Sequence, residues 1–289
     1  VTSALGNGDN NWWVATLDAV DAKTGAVRTI AKPTTQLNFP RVSPDGKTVA
    51  YIGGLMSDFG AVGGDVWTVP FAGGEPQNLM PHSTLTVTSL VWKDRFIRGT
   101  ALSGDRMGLF TFAGERADGL GWSRPASLAA GDAKAAFSAD GLTVATVAQD
   151  FTHAPAIFAG PVTAPVQITH DNDAVPAAMT ARSITWKNDG FTVQGWLLAP
   201  LGADPAKKAP MVTILPNPRG SDGQGEAFTA ANKRDFGGGD LRDILTGIDA
   251  VEKVAPVDDA RLGLTGGSYG GFMSMWANTQ TNRFKAIVA

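Results

Sequence analysis

The chain has 289 residues, a net charge of −3 and a pI near 5.6, with 43% hydrophobic and 18% charged residues. These values are typical of a globular protein and provide no basic stripe, so nucleic acid is not predicted as a partner. No apolar run approaches the roughly 18 residues of a membrane span, so none is predicted. The absence of cysteine excludes disulfides, thiolate metal sites and a cysteine nucleophile.

The first 178 residues consist of recurring β-hairpin patterns. "FPRVSPDGKTVAYIGG" alternates apolar residues on both sides of Asp45-Gly46, which predicts a hairpin. A weaker copy of this pattern surrounds Asp94, 49 residues after Asp45. A clearer copy surrounds Asp140, 46 residues after Asp94. A second hairpin pattern recurs between them, an aromatic or β-branched strand, a glycine-bearing turn and a short strand, as in "DVWTVPFAGGEPQNLM".

Hairpin pairs at a period in the forties are typical of β-propeller blades, because a four-stranded blade buries its faces only against its neighbours. The sequence therefore predicts an N-terminal all-β propeller over residues 1–178. A β-sandwich with accidental spacing is the alternative. The pattern is already in progress at Val1, which predicts that further blades precede it. The histidines, His82, His153 and His170, have no ligand spacing, so we expect surface or loop positions and no metal or cofactor site.

After residue 178 the pattern changes to alternating helices and strands, which predicts an α/β domain over residues 179–289. A hairpin around Asp189 comes first, and "MVTIL" follows as a buried parallel strand. Asp240 is predicted to cap a helix, and the next elements are the strand "RLGLT", the helix "GGFMSMWANTQ" and the strand "FKAIVA". No crossover is evident after Ile214, so either a loop follows this strand or a segment is absent there.

Gly266-Gly267-Ser268-Tyr269-Gly270 matches G-x-S-x-G, the pattern of a nucleophile elbow. In such an elbow the strand turns abruptly into a helix, which forces the serine into strained backbone angles. The residues two positions before and after the serine must have almost no side chain, so that the strand and the helix can pass each other. Ser268 would then be exposed, and the Tyr269 N–H would point at the oxyanion of a tetrahedral intermediate. The alternative is a glycine-rich turn that binds phosphate or nothing. The phosphate-loop Lys-Ser/Thr pair and a dinucleotide fingerprint are both missing from the sequence.

The chain resembles the prolyl oligopeptidase family of serine peptidases, which join a β-propeller to an α/β-hydrolase domain. The motifs that carry the resemblance are "DGFTVQGWLLAP", "NPRGSDGQGEAF", "DFGGGDLRD", "VDDARLGLTGGS" and "GGSYGGF". The last of them is most similar to the acylaminoacyl-peptidase and bacterial dipeptidyl-peptidase branch. The propeller half matches by repeat pattern only.

The resemblance implies that Ser268 is the acylated nucleophile and that the Tyr269 amide lines the oxyanion hole. It also implies that Asn217 borders a cleft that binds a peptide substrate. The resemblance is compatible with a homo-oligomer. Further charged residues at family positions are interpreted as structural ion pairs and helix caps, namely Arg219, Glu226, Asp240 and Asp243. Asp258 and Asp259 are expected in a loop that holds Arg261. The sequence does not distinguish a cytoplasmic from a periplasmic protein.

The chain departs from the family where the acid and the base are expected. In such enzymes Asp and His follow the serine, whereas the 21 residues after Ser268 contain neither. The family's His-Gly-Gly-Pro segment is also missing after Ile214. We therefore expect an incomplete chain that does not hydrolyse peptides as written, because a serine without a base is a weak nucleophile.

Three functions follow from this sequence. The leading one is a serine peptidase that releases acylaminoacyl or dipeptidyl groups from short peptides. The alternatives are an esterase or amidase using the same serine, and a non-catalytic propeller protein with a degenerate hydrolase domain.

Overall fold

The structure is a computed structural model that describes residues 1–4, 6, 8–56, 62–126, 135–214 and 217–289. The chain divides into two compact units. The first unit comprises residues 1–176 together with residues 222–227, and the second comprises residues 177–221 and 228–289. The division at 176 lies close to the boundary predicted at 178, whereas the membership of 222–227 in the first unit is not foreseen by the sequence.

The first unit is built from successive antiparallel sheets, each formed by strands that are close in the sequence. The first sheet contains β1 (Thr2–Ser3), β2 (Thr16–Val20) and β3 (Val27–Ala31), and a 3-10 helix (Asp9–Val14) precedes β2. The second contains β4 (Gln36–Val42), β5 (Thr48–Gly54), β6 (Asp65–Pro70) and β7 (Gln77–Asn78). The third contains β8 (Thr86–Val87), β9 (Val91–Lys93), β10 (Phe96–Ser103), β11 (Arg106–Ala113) and β12 (Arg116–Pro125). The fourth contains β13 (Ala135–Phe137), β14 (Thr143–Ala148), β15 (Ala156–Pro161) and β16 (Val166–Gln167).

The predicted hairpins are present, and two of their turns use the same hydrogen bond. Ser43 Oγ donates to Asp45 over 2.6 Å between β4 and β5, and Ser138 Oγ donates to Asp140 over 2.6 Å between β13 and β14. Asp94, in the weaker copy of the hairpin pattern, adopts a φ of 50° between β9 and β10. These local turns confirm the hairpin repeats, and the closure of the sheets into a propeller stays a prediction.

Residues 222–227 form hydrogen bonds with residues of the first unit that are far away in the sequence. The Gly223 N–H donates to Thr86 Oγ1 over 2.8 Å, and the Gly223 carbonyl accepts the Gly104 N–H over 2.6 Å. Glu226 accepts the Leu55 N–H over 2.8 Å. Glu226 is interpreted from the sequence as a residue of an ion pair or a helix cap: none of the ion pairs among the described residues includes it, and it is the first residue of helix Glu226–Thr229.

Burial raises the pKa of the Glu226 carboxyl to about 7, and the nearby Asp65 and Asp222 carboxylates add to this rise. Because the folded protein then holds the proton more tightly than the unfolded chain, this group's contribution to stability is complete below pH 4.5 and is lost as the pH rises to about 7. Glu226→Gln keeps an acceptor for the Leu55 N–H without the charge. We expect it to raise the free energy of unfolding at pH 8 by about 1 kcal/mol, after allowance for solvent screening.

Urea unfolding of both proteins between pH 4.5 and pH 8 measures this difference, with Glu115→Gln as the control at an exposed turn. The stability of the Glu226 variant should decline less over this interval than that of the natural protein. Parallel pH profiles would contradict a role for the Glu226 charge.

The second unit combines a long hairpin with a parallel sheet. The hairpin pairs β17 (Met179–Asn188) with β18 (Phe191–Pro200) around Asp189, as predicted. The sheet has the order β19 (Ala209–Ile214), β20 (Val257–Thr265) and β21 (Phe284–Val288). Helix α1 (Glu226–Thr229) spans the division at residue 227, whereas a 3-10 turn (Ala230–Asn232), α2 (Gly239–Glu252) and α3 (Tyr269–Gln280) belong to the second unit. None of the helices in the described part of the chain is long and apolar enough to cross a membrane.

The crossover that the sequence did not reveal lies in residues 217–256. β19 pairs in parallel with β20, and α2 lies in the connection between them. Leu215 and Pro216 lie outside the described residues, and a segment absent after Ile214 stays a prediction. The core of this unit is formed by apolar side chains of α2, α3, β20 and β21, among them Leu241, Ile244, Ile248, Leu262, Leu264, Met273, Ala277 and Phe284.

Two predictions about acidic residues in this unit are wrong in part. Asp258 and Asp259 lie inside β20 rather than in a loop. Asp258 does bind Arg261, at 2.7 Å, but Asp259 binds Arg283 instead, at 3.0 Å. Successive side chains of a β-strand point to opposite faces of the sheet, so the two adjacent aspartates have different partners.

Candidate functional site

Ser268 lies where the central strand of the parallel sheet turns into a helix. β20 ends at Thr265 and α3 begins at Tyr269, so only Gly266, Gly267 and Ser268 form the connection. Ser268 has φ 54° and ψ −119°, a region that residues with a side chain rarely adopt, and its side chain is exposed. A strained backbone conformation persists only where the surrounding structure holds it in place. Such conformations are concentrated at functional sites.

The close approach expected on either side of Ser268 is present. A Cβ atom added to Gly266 would lie 2.7 Å from the backbone of Gly270, too close for any other residue without movement. At Gly267 the same atom would meet nothing within 4 Å. Gly266 is therefore required by packing, whereas Gly267 is not.

The Tyr269 side chain is held by polar and aromatic contacts. Its hydroxyl donates to the Asp240 carboxylate, and its ring lies 5.5 Å from the ring of Phe236 and 5.4 Å from that of Phe272. Burial, followed by the hydrogen bond to Asp240, raises the pKa of Tyr269 above its usual value. The tyrosine is therefore a neutral donor at all physiological pH values.

Asp240 differs from its predicted role as a helix cap. α2 already begins at Gly239, and the Gly239 N–H is bonded by Asp235 Oδ2 over 2.8 Å. Asp240 is fully buried in the first turn and accepts the Gly237 and Leu241 N–H groups together with the Tyr269 hydroxyl. None of the ion pairs among the described residues includes Asp240.

Arg219 and Asp243, both interpreted from the sequence as residues of structural ion pairs or helix caps, form an ion pair with each other, and it is buried. Asp243 is fully buried and accepts three hydrogen bonds from Arg219, from the backbone N–H, Nε and Nη2, at 2.7–2.9 Å. It also accepts the Asn188 side-chain amide over 2.7 Å. The hydrogen bonds that the Arg219 guanidinium donates to Asp243 raise the pKa of Arg219, and the guanidinium also lies over the Phe191 ring at 5.0 Å. The network fixes the loop after Asn217 to α2 and to the β17–β18 hairpin.

Asn217 is held on the hairpin by its backbone. Its N–H donates to the Gln194 carbonyl over 2.9 Å in an isolated antiparallel bridge. This contact fixes the main chain at the start of the 217–221 loop. The expected place of Asn217 beside the nucleophile stays a prediction.

The three histidines are exposed and lie in turns or loops of the first unit, as predicted. No group of three or more His, Asp or Glu side chains that could hold a metal ion occurs among the residues whose positions are described. Residues 269–289 contain no aspartate or histidine, so the general base and acid expected for Ser268 are not supplied by that segment.

Comparison with known proteins agrees with the motifs around Ser268. Residues 203–289 match the model of the prolyl oligopeptidase family. The uncharacterized peptidase YuxL of Bacillus subtilis is 36% identical, with 35% of this chain and 20% of that protein covered. Dipeptidyl-peptidase 5 of Porphyromonas gingivalis is 39% identical, with 27% of this chain and 12% of that protein covered.

The fold is shared with a solved peptidase structure. The acylaminoacyl peptidase of Pyrococcus horikoshii aligns with a TM-score of 0.69 and 19% identity, covering 98% of this chain and 51% of that one. The chain thus spans about half the length of this structure, and the matches cover a fifth or less of the two sequence relatives. The resemblance to the prolyl oligopeptidase family is confirmed, and residues 203–289 carry the family match.

Proposed function

We propose that this chain contributes the nucleophile of a serine peptidase that cleaves short peptides through an acyl-enzyme on Ser268. The observation that carries the proposal is the strained, exposed Ser268 between β20 and α3, with Gly266 and Gly270 in backbone contact beside it. In open α/β sheets, ligands bind beyond the carboxyl ends of the strands, which is where this serine lies. The family match of residues 203–289 supports peptide chemistry at this position.

The proposed reaction uses the start of α3 as well as the serine. Ser268 Oγ forms a bond to the substrate carbonyl carbon while its proton passes to a general base, which the family resemblance expects to be a histidine. The carbonyl oxygen becomes an oxyanion, and the Tyr269 N–H at the start of α3 donates to it. The first N–H groups of a helix lack partners within the helix, so they are available for a developing anion. Loss of one such donor typically lowers kcat about 10²- to 10³-fold.

The tetrahedral intermediate then collapses and expels the amine, which takes the proton from the base, and water hydrolyses the acyl-enzyme. The antiparallel sheets of the first unit support its assignment as part of a β-propeller that admits only short peptides. Asn217 is proposed to border the substrate, on a main chain fixed by Gln194. Peptides that carry a blocked or a free amino end are the proposed substrate class, as the names of the relatives suggest.

Labelling with a fluorophosphonate tests the proposal in the natural full-length protein. We expect one covalent adduct, located by peptide mapping at Ser268 and lost in Ser268→Ala. Ser274→Ala is the matched control, because Ser274 lies in α3, directly after the turn that contains Ser268, but is fully buried. It should label as the natural protein does.

Absence of an adduct at Ser268, or an adduct that survives Ser268→Ala, would favour the non-catalytic alternative. Chromogenic dipeptides with acylated and with free amino ends then separate the two release modes. Turnover of simple esters alone would indicate an esterase instead.

A further inference from the structure

The hydrogen bond between Tyr269 and Asp240 links the residue after the proposed nucleophile to the first turn of another helix. Asp240 is fully buried, and its Oδ2 atom accepts both the Tyr269 hydroxyl and the Gly237 N–H. The amino end of α2 favours a negative charge at this position, because the helix dipole is positive there. The carboxylate is thus stabilised by backbone N–H groups and the tyrosine.

The same tyrosine supplies the backbone next to the strained serine. Tyr269 is the first residue of α3, and the ψ of Ser268, −119°, sets the orientation of the peptide bond between the two residues. Its side chain has little freedom to move, because Asp240 holds the hydroxyl while Phe236 and Phe272 contact the ring. Restraint at the side chain therefore restrains the orientation of the backbone N–H of the same residue.

We propose that Asp240 is a positioning residue for acylation: through the Tyr269 hydroxyl it fixes the Tyr269 N–H in the orientation that binds the oxyanion. This inference rests on the proposed function of Ser268. A misplacement of about 1 Å in a reacting group can cost about 10²-fold in rate. We therefore expect loss of the hydrogen bond to lower kcat about 10-fold or more, with KM within threefold.

The experiment is a double-mutant cycle in the natural full-length protein with a chromogenic peptide substrate. Tyr269→Phe removes only the hydroxyl, and Asp240→Asn keeps the shape and one acceptor oxygen. If both act through the same bond, the double variant should be no slower than the slower single variant. Tyr51→Phe, at the only other tyrosine, is the control and should retain kcat.

A purely structural role is separated by two further readouts. Titration of Ser268 with a fluorophosphonate measures the concentration of reactive sites. Dividing the maximal rate by this concentration gives kcat for the folded protein alone. The affinity for a boronic acid that forms a tetrahedral adduct should fall in parallel with kcat, whereas KM should not rise. A lower yield of sites with unchanged kcat per site would assign Asp240 to folding alone and overturn the proposal.

The outcomes for the two hypotheses differ. If the natural protein takes no label at Ser268, the proposed function fails. If it is labelled and turns over substrate, but Tyr269→Phe and Asp240→Asn keep kcat, or their effects multiply in the double variant, the proposed function remains and the positioning role is wrong.

Discussion

Asp243→Ala is expected to lower the free energy of unfolding of the second unit by about 3–5 kcal/mol, the range for removing one partner of a buried ion pair. The reason is that Asp243 accepts four hydrogen bonds in a fully buried position. Its removal leaves the Arg219 guanidinium, whose side chain is only 6% exposed, without its main acceptor. The remaining contact with Asp189 is longer, at 3.2 Å, and reaches a carboxylate that Arg242 also binds.

Native-state hydrogen exchange of α2 peptides measures this effect within the whole chain, since α2 belongs to the second unit. Asp259→Ala is the matched control, because its carboxylate pairs with Arg283 at a side-chain exposure of 63%. An exposed pair of that kind contributes under about 1 kcal/mol. Equal losses of protection in the two variants would show that burial does not govern the Arg219–Asp243 pair.

Gly266→Ala is expected to destabilise the turn before Ser268 by about 1–3 kcal/mol, the usual cost of overpacking, and to slow fluorophosphonate labelling about 10²-fold. The added Cβ would contact backbone atoms of Gly270 at 2.7 Å, which cannot rotate away as a side chain would. β20 and α3 must therefore move apart. This movement displaces Ser268 Oγ and the Tyr269 N–H from the positions in which they would reach a substrate carbonyl.

Gly267→Ala provides the matched comparison one residue away. Its Cβ would have no neighbour within 4 Å, so stability should change by less than about 0.5 kcal/mol. The two variants differ only in where one methyl group is added. Similar labelling rates for both would mean that the geometry around Ser268 does not depend on the contact between Gly266 and Gly270.

The features that the sequence predicts well are determined by neighbouring residues. The hairpins around Asp45, Asp140 and Asp189 follow from turn residues that accept left-handed backbone angles between apolar strands. β20, α3 and the strained serine between them follow from glycines placed two residues before and after Ser268. In each case the physical cause lies within a few residues of the feature.

The features that the sequence does not reveal depend on contacts between distant residues. Asp240 and Tyr269 are 29 residues apart, and their hydrogen bond depends on how α2 and α3 pack. Asp259 finds Arg283 only because β20 and β21 are adjacent in the sheet. From the sequence alone, the adjacent Asp258 and Asp259 indicate a loop, and only the pairing of β20 in the sheet shows that they belong to a strand.

The membership of residues 222–227 in the first unit limits how this protein can be divided into fragments. A gene cut between residues 176 and 177 would leave these six residues on one polypeptide and their partners Thr86 and Leu55 on the other. A fragment ending at 176 would lack the Glu226 carboxylate that accepts the Leu55 N–H. Truncation or swapping of either unit therefore has to treat residues 222–227 as part of the first unit, although they lie more than forty residues beyond its apparent end.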